Sequence, residues 1–416
     1  MSESSSGTVA EGPVSRGAAL YGLLSQLANS AGNVLLTFFV ARHATQDGYG
    51  AWALGYAVYM MALAGARALT GTPILIGRFQ SPARLRQEAA GANSLAFLLG
   101  TLASAGLLIS GGAIPSLGAM FWPFAIVVPI LLAQDAGRHF AFKRGKPLEA
   151  AWMDISWLTI QIVAFGLLEV TNTATAGWIT LTWGSSALVG IVWISVRHGL
   201  LPRVAALRAF WASARVHGMK LFGEAALGAV VAQALPMVVA LAAGLAAAGA
   251  LRGGLTLIGL INILVAGLTP VATLAARHEF ETKGTTRQFL IRWTILLAAT
   301  SSAFGLAVLL IPDSLGRQLL GDSWLGASAL LVPLVLQSIV RGPYTGVPVV
   351  LRATDRVGSA LRLRAITTIP SLLFPWAGAI LDGASGAAWG IFASAMAASA
   401  LALTVQRAST RPTGCV

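Results

Sequence analysis

The chain has 416 residues, of which 56% are hydrophobic and only 10% charged, against about 25% charged in a soluble domain. That composition excludes a soluble globular protein and describes a polytopic membrane protein. The formal net charge is +13, and the single cysteine, Cys415, excludes an internal disulfide framework.

Residues 1–16 are rich in Ser and Gly, carry Glu3 and Glu11, and lack the positive start of a secretory signal. They are expected to form a short disordered cytoplasmic tail. The first long apolar run, Gly17 to Val40, is about long enough to cross a bilayer. Its polar residues Ser25, Asn29, Asn33 and Thr37 recur at i+4, which puts all four on one helix face. Such a stripe either bonds to neighbouring helices or walls a water- or substrate-filled cavity.

Hydropathy gives about twelve spans of about 20–25 residues each, near 17–41, 50–77, 89–111, 118–142, 148–169, 175–196, 219–244, 251–275, 289–311, 326–350, 361–381 and 385–406. With both termini cytoplasmic, the inner segments hold 23 of the 28 Lys and Arg, and the outer loops hold three, Arg42, Arg252 and Arg317. A wrong helix count would scramble this alternation. The positive charge is therefore mostly an orientation signal, and no nucleic-acid partner is expected.

The longest connection, residues 197–218, sets Leu200, Leu201, Val204, Leu207, Phe210 and Trp211 among Arg203, Arg208 and Arg215. This pattern predicts a basic amphipathic helix on the membrane surface, linking six-helix bundles at 17–196 and 219–406, with residues 407–416 as a second cytoplasmic tail. The two halves resemble each other. Leu20-Tyr21-Gly22 opens the first span and Leu221-Phe222-Gly223 the seventh; Gln134 and Arg138 end the fourth as Gln-x-x-x-Arg, and Gln337 and Arg341 repeat that pattern within the tenth. Six helices per half place the copies in the same orientation, a parallel repeat about the membrane normal.

Arg67 and Arg341 remain outside the loop count. Each lies 11 residues before an inner-side arginine, Arg78 and Arg352, hence about 16 Å deep at ~1.5 Å per residue. An arginine at that depth costs at least about 2.5–3.5 kcal/mol, so each either serves function or pairs with a buried acid. Arg341 is followed by Gly342-Pro343 and then Pro348, which predicts a broken helix of the kind tolerated where it is packed or lines a cavity.

The intramembrane acids are weaker signals. Asp135 can pair with Arg138 at i+3, and Glu149 suits the N-terminal turn of its span. Asp154, Trp157 and Gln161 share a face that fits a sugar or a packed helix interface. Glu224, four residues past Lys220, is a shallow candidate for ion coupling. Gly228, Ala232, Pro236, Ala240 and Gly244 below it either permit close packing or leave room for a ligand. No G-x-x-x-x-G-K-S/T, HExxH or CxxC motif occurs, so nothing points to an enzyme, a metal or a cofactor.

ARHATQDGYGAWAL, from Ala41 to Leu54, resembles the first loop of the polysaccharide flippases in the multidrug/oligosaccharidyl-lipid/polysaccharide (MOP) exporter superfamily. The Leu-Gly usual there is replaced by Ala44-Thr45. QDAGRHFAFKRGKP, from Gln134 to Pro147, is similar to the end of their fourth helix. ALRGGLTLIGLINILVAG, from Ala250 to Gly267, resembles the start of their eighth, and LLGDSW, from Leu319 to Trp324, their last long outer loop. The resemblance implies an all-α fold of about twelve transmembrane helices, two six-helix bundles in a V, with the first and seventh helices lining a central cavity. It implies a polyprenyl-pyrophosphate-linked oligosaccharide moved between leaflets of a bacterial inner membrane by alternating access, without a cofactor but with H+ or Na+ coupling.

On that reading Arg67 and Arg341 attract the pyrophosphate, with Gln134, Arg138 and Gln337 beside them. Ser25, Asn29, Asn33, Thr37, Asp154 and Trp157 meet the sugars. The partners are then the lipid-linked oligosaccharide, the bilayer, and glycosyltransferases or a glycan polymerase. The alternative is an ion-coupled drug or metabolite antiporter of the same superfamily. A membrane glycosyltransferase or polymerase needs clustered outer acids, whereas Asp47, Glu169, Asp313, Asp322 and Asp382 stand singly. A lipid II flippase would bring two further helices.

Overall fold

The computed structural model describes residues 16–77, 81–201, 203–354 and 356–410. They form helices and short connections, with no strand among the described residues. Ten stretches are long and apolar enough to cross a bilayer. Two of them belong to longer rods that are interrupted. Helix α9, Val204–Lys283, is kinked at Gly244, and α15, Val357–Thr410, breaks at Asp382–Gly383. Each rod supplies two crossings, which brings the layout to twelve helices. Both breaks use a glycine at positive φ (Gly244 at 89°, Gly383 at 54°), a region closed to most L-residues.

The other elements in order are α1 Arg16–His43, α2 Gln46–Ala66, α3 Thr72–Ile76, α4 Pro82–Ala113, α5 Pro115–Lys143, α6 Pro147–Val170, α7 Ala176–Ser186 and α8 Leu188–His198. After α9 come α10 Arg287–Leu309, α11 Asp313–Leu320, α12 Ser323–Ser328, α13 Leu331–Val340 and α14 Gly342–Ala353. Between α2 and α3, Arg67–Gly71 form a π-helical turn in which the Thr72 N–H bonds back to the Arg67 carbonyl. Pro73 has no N–H to give the Leu69 carbonyl, which accounts for the slipped register.

The chain divides into two compact units, residues 1–40 with 55–230 and residues 41–54 with 231–416. In the first, Trp183 is fully buried at the centre of an aromatic cluster. Tyr56, Tyr59, Phe124 and Trp157 lie around it with ring centroids 5.4–6.5 Å away. Phe210 of the basic connection is buried with Leu200 against α4 and α5. Asn93 donates to the Leu200 carbonyl at 2.5 Å and the Arg203 N–H to Ser94 at 2.8 Å, so the segment is stitched to α4. Arg203, Arg208 and Arg215 remain exposed. Glu149, in the first turn of α6, gathers Arg144 (3.3 Å) and His198 (3.2 Å).

In the second unit the stretch around Tyr49 packs on α9 just after its kink. Tyr49 stacks on Trp52 with centroids 5.7 Å apart, and the Arg252 guanidinium sits 5.9 Å from the Trp52 ring. Trp324 is buried and donates its indole N–H to Asp313 at 2.8 Å. Helices α10 and α14 approach closely because Gly342 and Gly346 face Thr294, Trp293 and Leu290. A Cβ on Gly346 would lie 2.7 Å from Trp293 Cδ1 and 2.8 Å from Leu290 Cδ1. Gly346→Val is therefore expected to destabilise the protein by about 1–3 kcal/mol. Thermal unfolding of the purified protein checks this, and Gly112→Val, with nothing within 4 Å, is the control.

Candidate functional site

The helices of the first unit converge on a buried polar network. Arg67 opens the π turn and reaches α5, placing Nε 2.9 Å from Asp135 Oδ2 and Nη2 2.7 Å from Oδ1. This is the planar two-point pairing that a guanidinium makes with a carboxylate. Arg138, one turn on, donates to the same Asp135 Oδ1 at 3.2 Å and to Ser25 Oγ at 3.2 Å. Its Nε lies 2.9 Å from Asp154 Oδ2 as an ion pair. Asp154 also accepts from Ser25 and, at 3.2 Å, from Gln134. The side chains of Asp135, Arg138 and Asp154 are 7%, 6% and 0% exposed.

The network joins α1, α5, α6 and the π turn, and its charges cancel: two guanidinium groups against two carboxylates. Desolvating ions costs several kcal/mol each, and only complete pairing offsets it. The expected Asp135–Arg138 pair is present, but the shorter, two-point partner of Asp135 is Arg67, 68 residues away. Arg67 thus has the acid that would explain its depth. Its side chain is still 41% exposed, and Nη1 takes part in neither bond.

The α1 stripe divides. Ser25 and Thr37 are buried, Asn29 and Asn33 half-buried. Ser25 ties α1 to α6 through Asp154. Asn33 Nδ2 donates to the Asn29 carbonyl at 2.9 Å, and Thr37 to the Asn33 carbonyl at 2.8 Å, so these bonds run along the helix itself. Asn33 Oδ1 is buried without a hydrogen-bond partner among the described residues.

The face formed by Asp154, Trp157 and Gln161 is a packed interface. The Trp157 indole donates to the Trp183 carbonyl at 2.7 Å and Gln161 to the Gly32 carbonyl at 2.8 Å. All three side chains are buried. The Glu224 side chain, and with it Gly228 and Ala232 of the small-residue stripe, lies outside the described residues.

The second unit treats the matching arginine differently. Helix α13 ends at Val340 and α14 begins at Gly342, with Arg341 between them at φ −79°, ψ 0°. The expected break is there. Pro343 leaves the Ile339 carbonyl without its helical donor, and the Val340 carbonyl takes the Ser399 hydroxyl of α15 at 2.8 Å instead. Arg341 is half-buried, and its guanidinium has no hydrogen bond or ion pair among the described residues.

Gln337, one turn earlier, is half-buried and accepts from Ser338 at 3.4 Å. In the Gln-x-x-x-Arg repeat, Asp135 follows Gln134 and Ser338 follows Gln337. The second copy therefore lacks the acid that neutralises the first, and residues 338–381 contain one Asp, Asp355, and no Glu. This asymmetry was readable in the aligned repeat; the cross-helix partners of Asp135 and Asp154 were not.

Neither a protein-family model nor a curated protein matches the sequence. Solved structures do match the fold. An inward-facing multidrug-resistance MATE transporter of the MOP superfamily superposes with a TM-score of 0.70 at 12% identity, covering 95% of this chain and 100% of that one. An outward-facing MATE transporter of the superfamily gives 0.60 at 14% identity, covering 94% of each chain. A MOP-superfamily transporter from Pyrococcus furiosus, described as having a binding pocket of reverse polarity that suggests a different function, gives 0.57 at 14%, again over 94% of each. At such identities the likeness establishes the fold, that of the MATE-like MOP transporters.

Proposed function

We propose that the chain is a MOP-type membrane transporter that moves an anionic amphiphile, a polyprenyl-pyrophosphate-linked oligosaccharide, from the inner to the outer leaflet by alternating access. One observation carries this reading: Arg341 is a cation at a helix break, deep in a span, with no acid beside it among the described residues. A guanidinium in that position is an attractor for phosphate oxygens, which match its planar donors. In the buried network of the first unit Asp135 and Asp154 are already held by arginines, and a compensated carboxylate is a poor receptor for a cationic drug.

Arg341 is assigned to the pyrophosphate, while Arg67 is assigned to its two-point pairing with Asp135. Gln337, one turn before Arg341 and half-buried, offers a hydrogen bond to a sugar hydroxyl. Gln134, Arg138, Asp154, Ser25, Thr37 and Trp157 are assigned to holding the first unit together. The second reading is an ion-coupled drug or metabolite antiporter, favoured by the multidrug transporters among the structural neighbours. Purified protein in proteoliposomes separates the two. Movement of a fluorescent pyrophosphate-linked glycolipid to the far leaflet, without efflux of a cationic dye, supports the flippase; the reverse result supports the antiporter.

The same reading places both termini in the cytoplasm of a bacterial inner-membrane protein. With Cys415 replaced, cysteines introduced at the exposed Gly112 and Asp322 are expected to react with an impermeant thiol reagent on intact cells. Those at Arg84, Lys146 and Arg287 are expected to stay unlabelled. Labelling of any of the latter three reverses the orientation.

A further inference from the structure

We infer that the groove between the end of α9 and the start of α10 seats an anionic phospholipid, its phosphodiester on His278, Lys283 and Arg292 and one acyl chain along Ala275 and Leu296. The groove is a cavity of about 500 Å³ bounded by both helices, within the size range of small-molecule sites, about 300–1,000 Å³. Its charge is net positive, with Lys283 and Arg292 against the single carboxylate of Glu279. Arg292 and His278 have no side-chain hydrogen bond or ion pair among the described residues, and Lys283 reaches only the neutral Gln288 Oε1, at 2.7 Å.

The one acid in the lining, Glu279, is buried and committed: its Oε1 accepts the Phe289 N–H at 3.0 Å in the first turn of α10. The neighbouring Arg277 and Glu281 pair with each other at 2.9 Å and add no net charge. An anionic headgroup therefore meets Lys283 and Arg292, neither of which has an ion pair among the described residues, with the His278 ring beside them.

Depth selects a lipid over a free anion. Arg292 stands five residues inside α10 and His278 five residues before the end of α9. At ~1.5 Å per residue each is about 7 Å from its helix end, where a headgroup zone of about 5–7 Å gives way to hydrocarbon. Further into the span the lining becomes apolar, with Ala275 and Leu296 exposed. Phe289 and Trp293 stack at 6.1 Å to form one wall. Trp293 also donates to Thr345 of α14 at 3.3 Å, so a lipid in the groove buttresses the helix that starts at the Arg341 break. This inference does not depend on the transported substrate.

Native mass spectrometry of the purified protein with phosphatidylglycerol or phosphatidylcholine tests it. The wild type is expected to retain phosphatidylglycerol preferentially. Lys283→Gln and Arg292→Gln should each reduce that preference about fivefold, the equivalent of the ~1 kcal/mol per basic group near an anionic surface. For variants that do not fold, a photoreactive phosphatidylglycerol on wild-type protein is expected to label peptides within 272–296. Equal retention of both lipids, labelling confined to other segments, or displacement of the lipid by inorganic phosphate would each overturn the proposal.

Discussion

Asp154→Ala is expected to lower stability by about 3–5 kcal/mol, the cost of stranding a buried charge. The carboxylate is fully buried and takes Ser25, Gln134 and Arg138 at once. Removing it leaves Arg138 with half of its compensation and a vacancy between α1, α5 and α6. Asp154→Asn should cost less, since the shape and one acceptor remain. Arg138→Met combined with Asp154→Leu removes one charge of each sign and leaves Asp135 with Arg67, so it should recover most of the loss. Thermal unfolding of detergent-purified protein reads all three. An Asp154→Ala protein that unfolds with the wild type would mean that the network does not hold the first unit together.

Arg341→Ala is expected to do the opposite: little change in stability and a large loss of transport. Its guanidinium has no anionic partner among the described residues, so truncation strands no charge there and relieves a desolvation cost. A substrate phosphate that loses its buried cation loses about 2 kcal/mol or more, at least ~30-fold in affinity. Arg341→Lys should restore only part of this, because an ammonium lacks the planar two-donor match. The two variants thus separate a structural arginine network from a functional one within a single chain.

The helix layout was legible in the sequence because bilayer crossing is governed by length and hydropathy, and Lys and Arg mark one side. The break at Arg341 was legible because Gly342-Pro343 follows it; the interruptions at Gly244 and Asp382–Gly383 were visible only as the ends of the hydropathy spans 219–244 and 361–381. Asp135 with Arg138 was legible because i+3 is a local relation. The Arg67–Asp135 pair was not, since 68 residues separate its members and only the packing of the π turn on α5 brings them together. Asp154, Trp157 and Gln161 were visible as one face, but periodicity gives a shared direction without naming what lies in it; the structure puts Arg138, Trp183 and Gly32 there. Hydropathy was equally silent on residues 41–54 belonging with the second unit, because that allegiance rests on contacts to α9 rather than on composition.

The unneutralised charge of Arg341 carries the functional proposal, and one measurement bears on it most directly. Translocation of a pyrophosphate-linked oligosaccharide is followed in proteoliposomes containing wild type, Arg341→Ala or Arg341→Lys, each matched for monodisperse folded protein. The expected order is full transport for the wild type, partial for Lys and none above protein-free vesicles for Ala. A stably folded Arg341→Ala protein that moves the glycolipid at the wild-type rate would contradict the assignment.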